Sequence, residues 1–262
     1  MNLSILLHRV KNYLNYLYAS QTIHHLHSPF LFEFVTTCMD KENRYYAFEE
    51  LNHLRKKLSE NNTEVFYEDI GSQSMILKKP IRVKDILRTS VSPAKYSELY
   101  FRIAQFLKAK NILELGTSLG LNTLYLSKAT TGQVISIEGM ESMYQFAKKL
   151  FKEQHISNIH LIHSFFEDVL PKLAADNLFD LVFIDGNHTY EATVQYYTIL
   201  SKSMSSLSVM IIDDIYWNHE MTSAWKQIQT DTQIKFSIDL YRCGILIFNP
   251  NIPHTQHFVL RY

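Results

Sequence analysis

At 262 residues, of which 46% are hydrophobic, the chain can bury a large core as one elaborated domain or as one domain with an N-terminal extension. Lysine plus arginine equal aspartate plus glutamate at 26 each, so no overall field draws the protein to a polyanion and nucleic acid is not favoured as a partner. The two cysteines, Cys38 and Cys243, make neither a disulfide framework nor a zinc ribbon, which fits a reducing cytoplasm; they read best as small apolar residues.

Leu3, Leu6, Leu7, Val10, Leu14 and Leu17 keep the spacing of one helical face and predict a helix over 3–19, not the unbroken apolar core of a signal peptide. No later segment reaches the roughly 18 consecutive apolar residues of a membrane span. The expectation is a soluble, cytoplasmic protein with no membrane partner. Further helices are predicted at 29–39, 44–60 and 93–108, the first with Ser28 as its N-cap and Pro29 in its first turn. His24, His25 and His27 in IHHLHSPF are spaced like metal ligands, but no nearby cysteine or carboxylate completes a set, and solvated or packing histidines are the plainer reading. KKPIRVKDILR, with five basic residues and one acid, reads as a solvated linker or as a lid over an anionic substrate.

From Asn111 the pattern changes. NILELG, QVISIEG, NIHLIHS, FDLVFIDG and SVMIIDD each read as a strand buried on both faces and ended by Gly, Ser or Asp. Segments long enough for crossover helices lie between them, which predicts a parallel sheet covered by helices. After a helix at 219–230, FSIDLYR and GILIFNP are separated almost only by Cys243, and so short a link forces an antiparallel pair. The resulting fold class is α/β: a mainly parallel seven-stranded sheet with an antiparallel terminal hairpin, plus an N-terminal helical extension. The domain division expected is 1–95 for the extension and 96–262 for the sheet domain.

The stretch ILELGTSLGLNTLYLS carries the functional question. GTSLG fits the G-x-S-x-G elbow of a serine hydrolase, with Ser118 as nucleophile, although none of the chain's seven glycines forms the cluster that supplies an oxyanion hole. In the nucleotide-binding reading, Gly116 and Gly120 let the backbone turn tightly and approach a ligand, with Thr117 and Ser118 between them and helix amides facing the ligand. Glu138, about 20 residues further on at the next strand end and followed by Gly139, is placed to accept hydrogen bonds from ribose hydroxyls. A dinucleotide site prefers a second glycine where Ser118 stands, so the turn suits a ligand without a pyrophosphate. Asp185, Asp213 and Asp214 also fall at strand ends, where three carboxylates raise one another's pKa unless a cation or donor meets them; Mg²⁺ is the simplest remedy.

The E-x-G-x-x-x-G turn of Glu114, Gly116 and Gly120, the acid Glu138 and the terminal hairpin together resemble the class I S-adenosylmethionine-dependent methyltransferases, over about residues 110–249. The resemblance implies a Rossmann-like sheet, with S-adenosylmethionine held by Glu114, Gly116, Thr117, Ser118, Gly120, Glu138, Gly139, Ser164, Phe165 and Asp185. Ser164 and Phe165 would meet its adenine. FIDGNHTY and VMIIDDIYW are similar to the cation-dependent O-methyltransferases of the catechol type and to the sugar and macrolide group carrying D-G-x-H-x-Y. That likeness implies Asp185, Asp213 and Asp214 as metal ligands, Asp214 standing where the catechol type has Asn, and His188 where that type has its catalytic lysine. His188 suits a general base because its ordinary pKa is near 6.5. Tyr216 and Trp217 would wall a substrate pocket or pack the hairpin.

The N-terminal region resembles the helical extension of some bacterial methyltransferases, through HSPF-L and a D-x-G-x-x-S segment at Asp69, Gly71 and Ser74. It implies a pocket cap, a homodimer surface, or both. The expected function is O-methylation of a small-molecule acceptor with Mg²⁺ assistance. The alternatives are a Ser118 hydrolase and a cofactor-binding protein without catalysis.

Overall fold

The computed structural model describes residues 3–67 and 79–262. Asp69, Gly71 and Ser74 lie outside the described residues, as does Lys78 of the basic stretch.

In chain order, helices α1 (Leu3–Ala19), α2 (Pro29–Cys38) and α3 (Tyr46–Ser59) precede an antiparallel pair, β1 (Glu64–Tyr67) and β2 (Lys79–Arg82), then α4 (Val83–Ser90) and α5 (Ala94–Leu107). Strand and helix then alternate: β3 (Asn111–Leu115), α6 (Leu121–Ala129), β4 (Gln133–Glu138), α7 (Glu141–Glu153), β5 (Ile159–His163), α8 (Phe166–Asp176), β6 (Phe179–Ile184), α9 (Tyr190–Leu200) and β7 (Met204–Asp213). The chain closes with α10 (His219–Ile228), β8 (Ile234–Asp239), β9 (Cys243–Phe248) and β10 (Gln256–Val259). The fold is α/β and Rossmann-like, with a mostly parallel sheet that has eight strands where the sequence suggests seven. The described residues form two compact units, 37–169 and 1–36 with 170–262.

In the unit of residues 37–169, β3, β4 and β5 run parallel, with Leu113 beside Ile135 and Ile137 beside Ile162. Their carboxyl ends therefore share one edge. Helix α6 is buried from Leu121 to Ser127, so its sequence has no polar stripe to mark it as amphipathic. Arg102 is almost fully buried on α5, and its guanidinium is met by backbone carbonyls, Nε donating to Cys38 O at 2.8 Å and Nη1 to Asn43 O at 3.3 Å. The basic stretch is not a linker: Arg82 ends β2, and Val83, Ile86 and Leu87 of α4 are buried. Its charges mask the apolar face that makes it fold.

In the other unit the strand order is β10-β8-β9-β7-β6. β6 and β7 are parallel, whereas β9 pairs antiparallel with both β7 and β8. The turn between β8 and β9 is 240–242, and Cys243 is the first residue of β9. β10, parallel to β8, is the strand the sequence does not announce. Helix α1 docks through its polar side: the buried His8 shares a 2.9 Å hydrogen bond with Thr222 Oγ1, and the Tyr16 hydroxyl donates to Leu260 O at 2.7 Å. Its apolar face, which periodicity alone would bury, points outward. Both cysteines are free and buried, and among the described residues no helix is long and apolar enough to cross a membrane.

Candidate active site

Three consecutive strand ends in the 37–169 unit converge on the expected cofactor residues. The turn after β3 needs left-handed backbone at Gly116 (φ +96°), Ser118 (φ +51°) and Gly120 (φ +77°). Glycine adopts it without cost, while Ser118 does so only because its surroundings hold it. The Glu138 carboxylate does the holding: Oε2 accepts from Ser118 N at 2.8 Å and Oε1 from Met140 N at 2.9 Å. Burial raises the Glu138 pKa, and these amides, with that of Gly139, pull it back down. Ser164 N donates to Glu138 O, and Phe165 after β5 is 50% exposed, an aromatic surface in the position expected to meet adenine.

Glu114, near the end of β3, is enclosed by protein donors. It is fully buried; Oε1 accepts from Asn122 Nδ2 at 2.9 Å, while Oε2 accepts from the hydroxyls of Thr123 at 2.5 Å and Ser136 at 2.6 Å. Burial pushes its pKa up to about 7, against the pull of those three donors. This carboxylate braces the turn from inside. Gly120 likewise serves packing: a Cβ there would lie 2.7 Å from the Phe151 ring of α7. Gly120→Ala is therefore expected to lose about 2–4 kcal/mol, adding positive-φ strain to overpacking. Urea denaturation of the variant measures it, and Phe151→Leu in the same chain should recover part.

Among the described residues, no histidine hydrogen-bonds the Ser118 hydroxyl, so the partner a hydrolase nucleophile requires is missing. His24, His25 and His27 form no ligand cluster among the described residues either; His25 hydrogen-bonds Thr22.

In the other unit, the parallel strands β6 and β7 bring Asp185, His188 and Asp214 together, each offering a ligand atom within 4.8 Å of the others. His188 Nε2 lies 3.8 Å from Asp185 Oδ1. Burial lowers the His188 pKa below its ordinary value; Asp214 opposes this, and Arg242 and Arg9 reinforce it. Asn218 holds the His188 loop by donating Nδ2 to His188 O at 2.9 Å, while its Oδ1 caps α10 by accepting from Met221 N. Asp214 is left-handed (φ +52°), as is Asn187 (φ +50°), a conformation these residue types tolerate.

Asp213 stands apart from that group. It is fully buried and accepts from Arg242 Nη2 at 3.1 Å, while Arg242 Nη1 lies 3.8 Å from Asp214 Oδ1. Arg242 comes from the β8–β9 turn and brings a positive charge to both Asp213 and Asp214. Trp217 is 41% exposed beside His188, with ring centroids 5.9 Å apart, and Arg9 of α1 lies 3.8 Å over the Trp217 ring while donating Nε to Trp217 O. Tyr216 instead packs the hairpin, its hydroxyl donating to Asp239 Oδ2 at 2.6 Å and its ring stacked on Tyr241.

Residues 113–215, which run from β3 to just past Asp214, match the family model described as a methyltransferase domain. Over those residues the chain carries a methyltransferase domain. An O-methyltransferase of Aspergillus hancockii is 29% identical over 153 residues, 55% of this chain and 59% of that protein. A catechol O-methyltransferase of Niastella koreensis is 33% identical over 105 residues, 37% of this chain and 46% of that protein. The chain thus matches only about half the length of these curated relatives. The same fold is seen in a methyltransferase of Podospora anserina bound to S-adenosylhomocysteine, with TM-score 0.59, 16% identity and coverage of 86% of this chain and 97% of that one. An O-methyltransferase of Bacillus cereus, also bound to S-adenosylhomocysteine, gives TM-score 0.57 and 15% identity, covering 83% and 96%. The methyltransferase domain encloses Glu114, Gly116, Gly120, Glu138, Asp185, His188, Asp213 and Asp214.

Proposed function

We propose that the chain transfers the methyl group of S-adenosylmethionine to a hydroxyl oxygen of a small-molecule acceptor. One observation carries the reading: a single methyltransferase domain match spans both the glycine turn braced by Glu138 and the group of Asp185, His188 and Asp214. When bound, the cofactor supplies an electrophilic methyl on a sulfonium. The turn Gly116–Gly120, with Glu138 and Gly139, would hold it, and Ser164 and Phe165 would receive the adenine. His188 would accept the acceptor's hydroxyl proton on its imidazole as that oxygen takes the methyl group. Burial keeps that imidazole neutral near pH 7, the form a base needs. Helix α1 would wall the acceptor side through Arg9, which lies over the Trp217 ring.

The reaction as proposed runs without Mg²⁺. Of the three expected ligands, Asp213 is buried against Arg242 and Asp214 lies within ion-pair distance of the same guanidinium. The group that remains includes an imidazole, a poor match for a cation that prefers an octahedron of oxygens. Removing metal with EDTA is expected to leave turnover within about twofold, a change too small for the loss of a Lewis acid. A drop of more than tenfold, reversed by Mg²⁺, would restore the metal.

The test of the whole reading uses S-adenosylmethionine carrying a radiolabelled methyl group and a panel of catechols, hydroxylated aromatic acids and sugars. Label in at least one hydroxylated acceptor is the expected result. No transfer by a protein that still binds S-adenosylhomocysteine would mark a cofactor-binding protein without catalysis.

A further inference from the structure

Helices α3 and α4 line a cleft of about 630 Å³ whose walls carry four cations, Arg55 and Lys56 from α3 with Lys84 and Arg88 from α4, and a single acid, Asp85. The helices are placed by their apolar faces: Leu51, Leu54 and Leu58 of one and Val83, Ile86 and Leu87 of the other are buried. The amides of Val83 and Lys84 donate to Thr63 O and Asn61 O, each at 3.0 Å, which ties the start of α4 to the segment that follows α3. Packing therefore gathers the cations without supplying acids to match. Asp85 lies 3.4 Å from Arg88, one turn along its own helix. Among the described residues, neither Lys56 nor Lys84 meets a carboxylate within ion-pair distance. Like charges held this close repel one another, and an anion in the cleft relieves the repulsion.

Arg55 adds a second observation. Its guanidinium is half-buried, Nη2 donates to Ser92 O at 2.9 Å, and the buried Nε has no hydrogen-bond partner. Burial lowers its pKa against the opposing pull of Tyr125 and Glu98, the mark of a charge with too little compensation nearby. Asn52, also on the cleft wall, accepts from the Tyr125 hydroxyl through Oδ1 at 3.4 Å, which leaves its amide hydrogens to donate.

We propose that this cleft binds a phosphate-bearing small molecule, its phosphate meeting Arg55, Lys56 and Lys84. A phosphate monoester carries roughly −1.5 to −2 charges near pH 7 and three strong acceptor oxygens, so one group can satisfy several cations. The cleft falls within the range of about 300–1,000 Å³ usual for small-molecule sites, with room for a body beyond the phosphate. A nucleic-acid strand is not selected, because it follows an extended basic surface and the chain's charges balance at 26 of each sign. None of these residues belongs to the glycine turn, to the Glu138 strand end or to the group of Asp185, His188 and Asp214, so the site stands independently of the methyl-transfer reading.

Calorimetric titration of the full chain at low ionic strength with inorganic pyrophosphate and with ribose 5-phosphate should show one site per chain, and ribose itself should give no heat. Lys56→Gln with Lys84→Gln should weaken both probes about tenfold or more, the loss expected when charge-assisted contacts are removed, with an unchanged circular dichroism spectrum. Lys57→Gln removes the next cation along α3, which does not line the cleft, and should change affinity by less than about twofold. Acetylation of the wild-type chain, read by mass spectrometry, needs no variant: bound probe should slow modification of Lys56 and Lys84 and leave Lys57 as it was. No binding of either probe, a double variant that binds as wild type, an equal loss in Lys57→Gln, or unprotected Lys56 and Lys84 would overturn the proposal. Retention of RNA or of anionic vesicles by a chain that binds neither probe would do the same and assign the face to that polyanion.

Discussion

His188→Ala is expected to lower the turnover of methyl transfer by about 10²- to 10⁴-fold, the usual worth of a positioned general base. Binding of S-adenosylhomocysteine should stay within about threefold, because the lost group acts on the acceptor's proton and not on the cofactor. Separating the two readouts separates a missing base from a damaged fold. The wild-type pH profile should carry the same signature. As pH falls through the His188 pKa the imidazole gains a proton and can no longer accept one, so activity falls on the acid side. Burial, with Arg242 and Arg9, lowers that pKa, so the acid limb should lie below the ordinary histidine value of about 6.5. Steady-state rates of both proteins from acid to alkaline pH test this. A variant that keeps turnover within a few-fold, or a wild-type limb above the ordinary value, would remove His188 from the mechanism.

The second large effect is expected at Glu138. Its carboxylate accepts from the Ser118 and Met140 amides, so Glu138→Ala both removes a charged acceptor and releases a left-handed residue from the turn. Hydrogen bonds to a charged group are worth about 1.5–3 kcal/mol, which predicts roughly 10- to 100-fold weaker binding of S-adenosylhomocysteine. Calorimetric titration measures the change. Affinity within threefold of wild type would mean that the turn holds its shape, and the cofactor its place, by other contacts.

Strands β3, β4, β6 and β7 are each legible in the sequence because fully buried parallel strands read as apolar runs closed by Gly or Asp. Those closing residues are also the candidate functional ones, so strand ends and candidate site are found together. β10 is not legible: QHFV is too short and too polar to stand out from loop. Arg242 escapes for a different reason. It lies 29 residues from Asp213, and the contact exists only because β9 returns antiparallel along β7, pairing Cys243 with Asp213 and leaving the turn residue beside the carboxylate. Periodicity finds the apolar face of α1 but not its direction; His8 and Tyr16 dock the helix, and nothing local says that the polar face is the inner one. Gly120 shows the same limit, since spacing marks the glycine while the Phe151 ring that requires it comes from the next helix.

The central claim is that the glycine turn and Glu138 hold the cofactor, and calorimetric titration of the wild-type chain with S-adenosylhomocysteine in EDTA tests it most directly. One site per chain with micromolar affinity is the predicted result, unchanged when Mg²⁺ replaces EDTA. No heat of binding in either buffer, from protein whose circular dichroism shows it folded, would contradict the account.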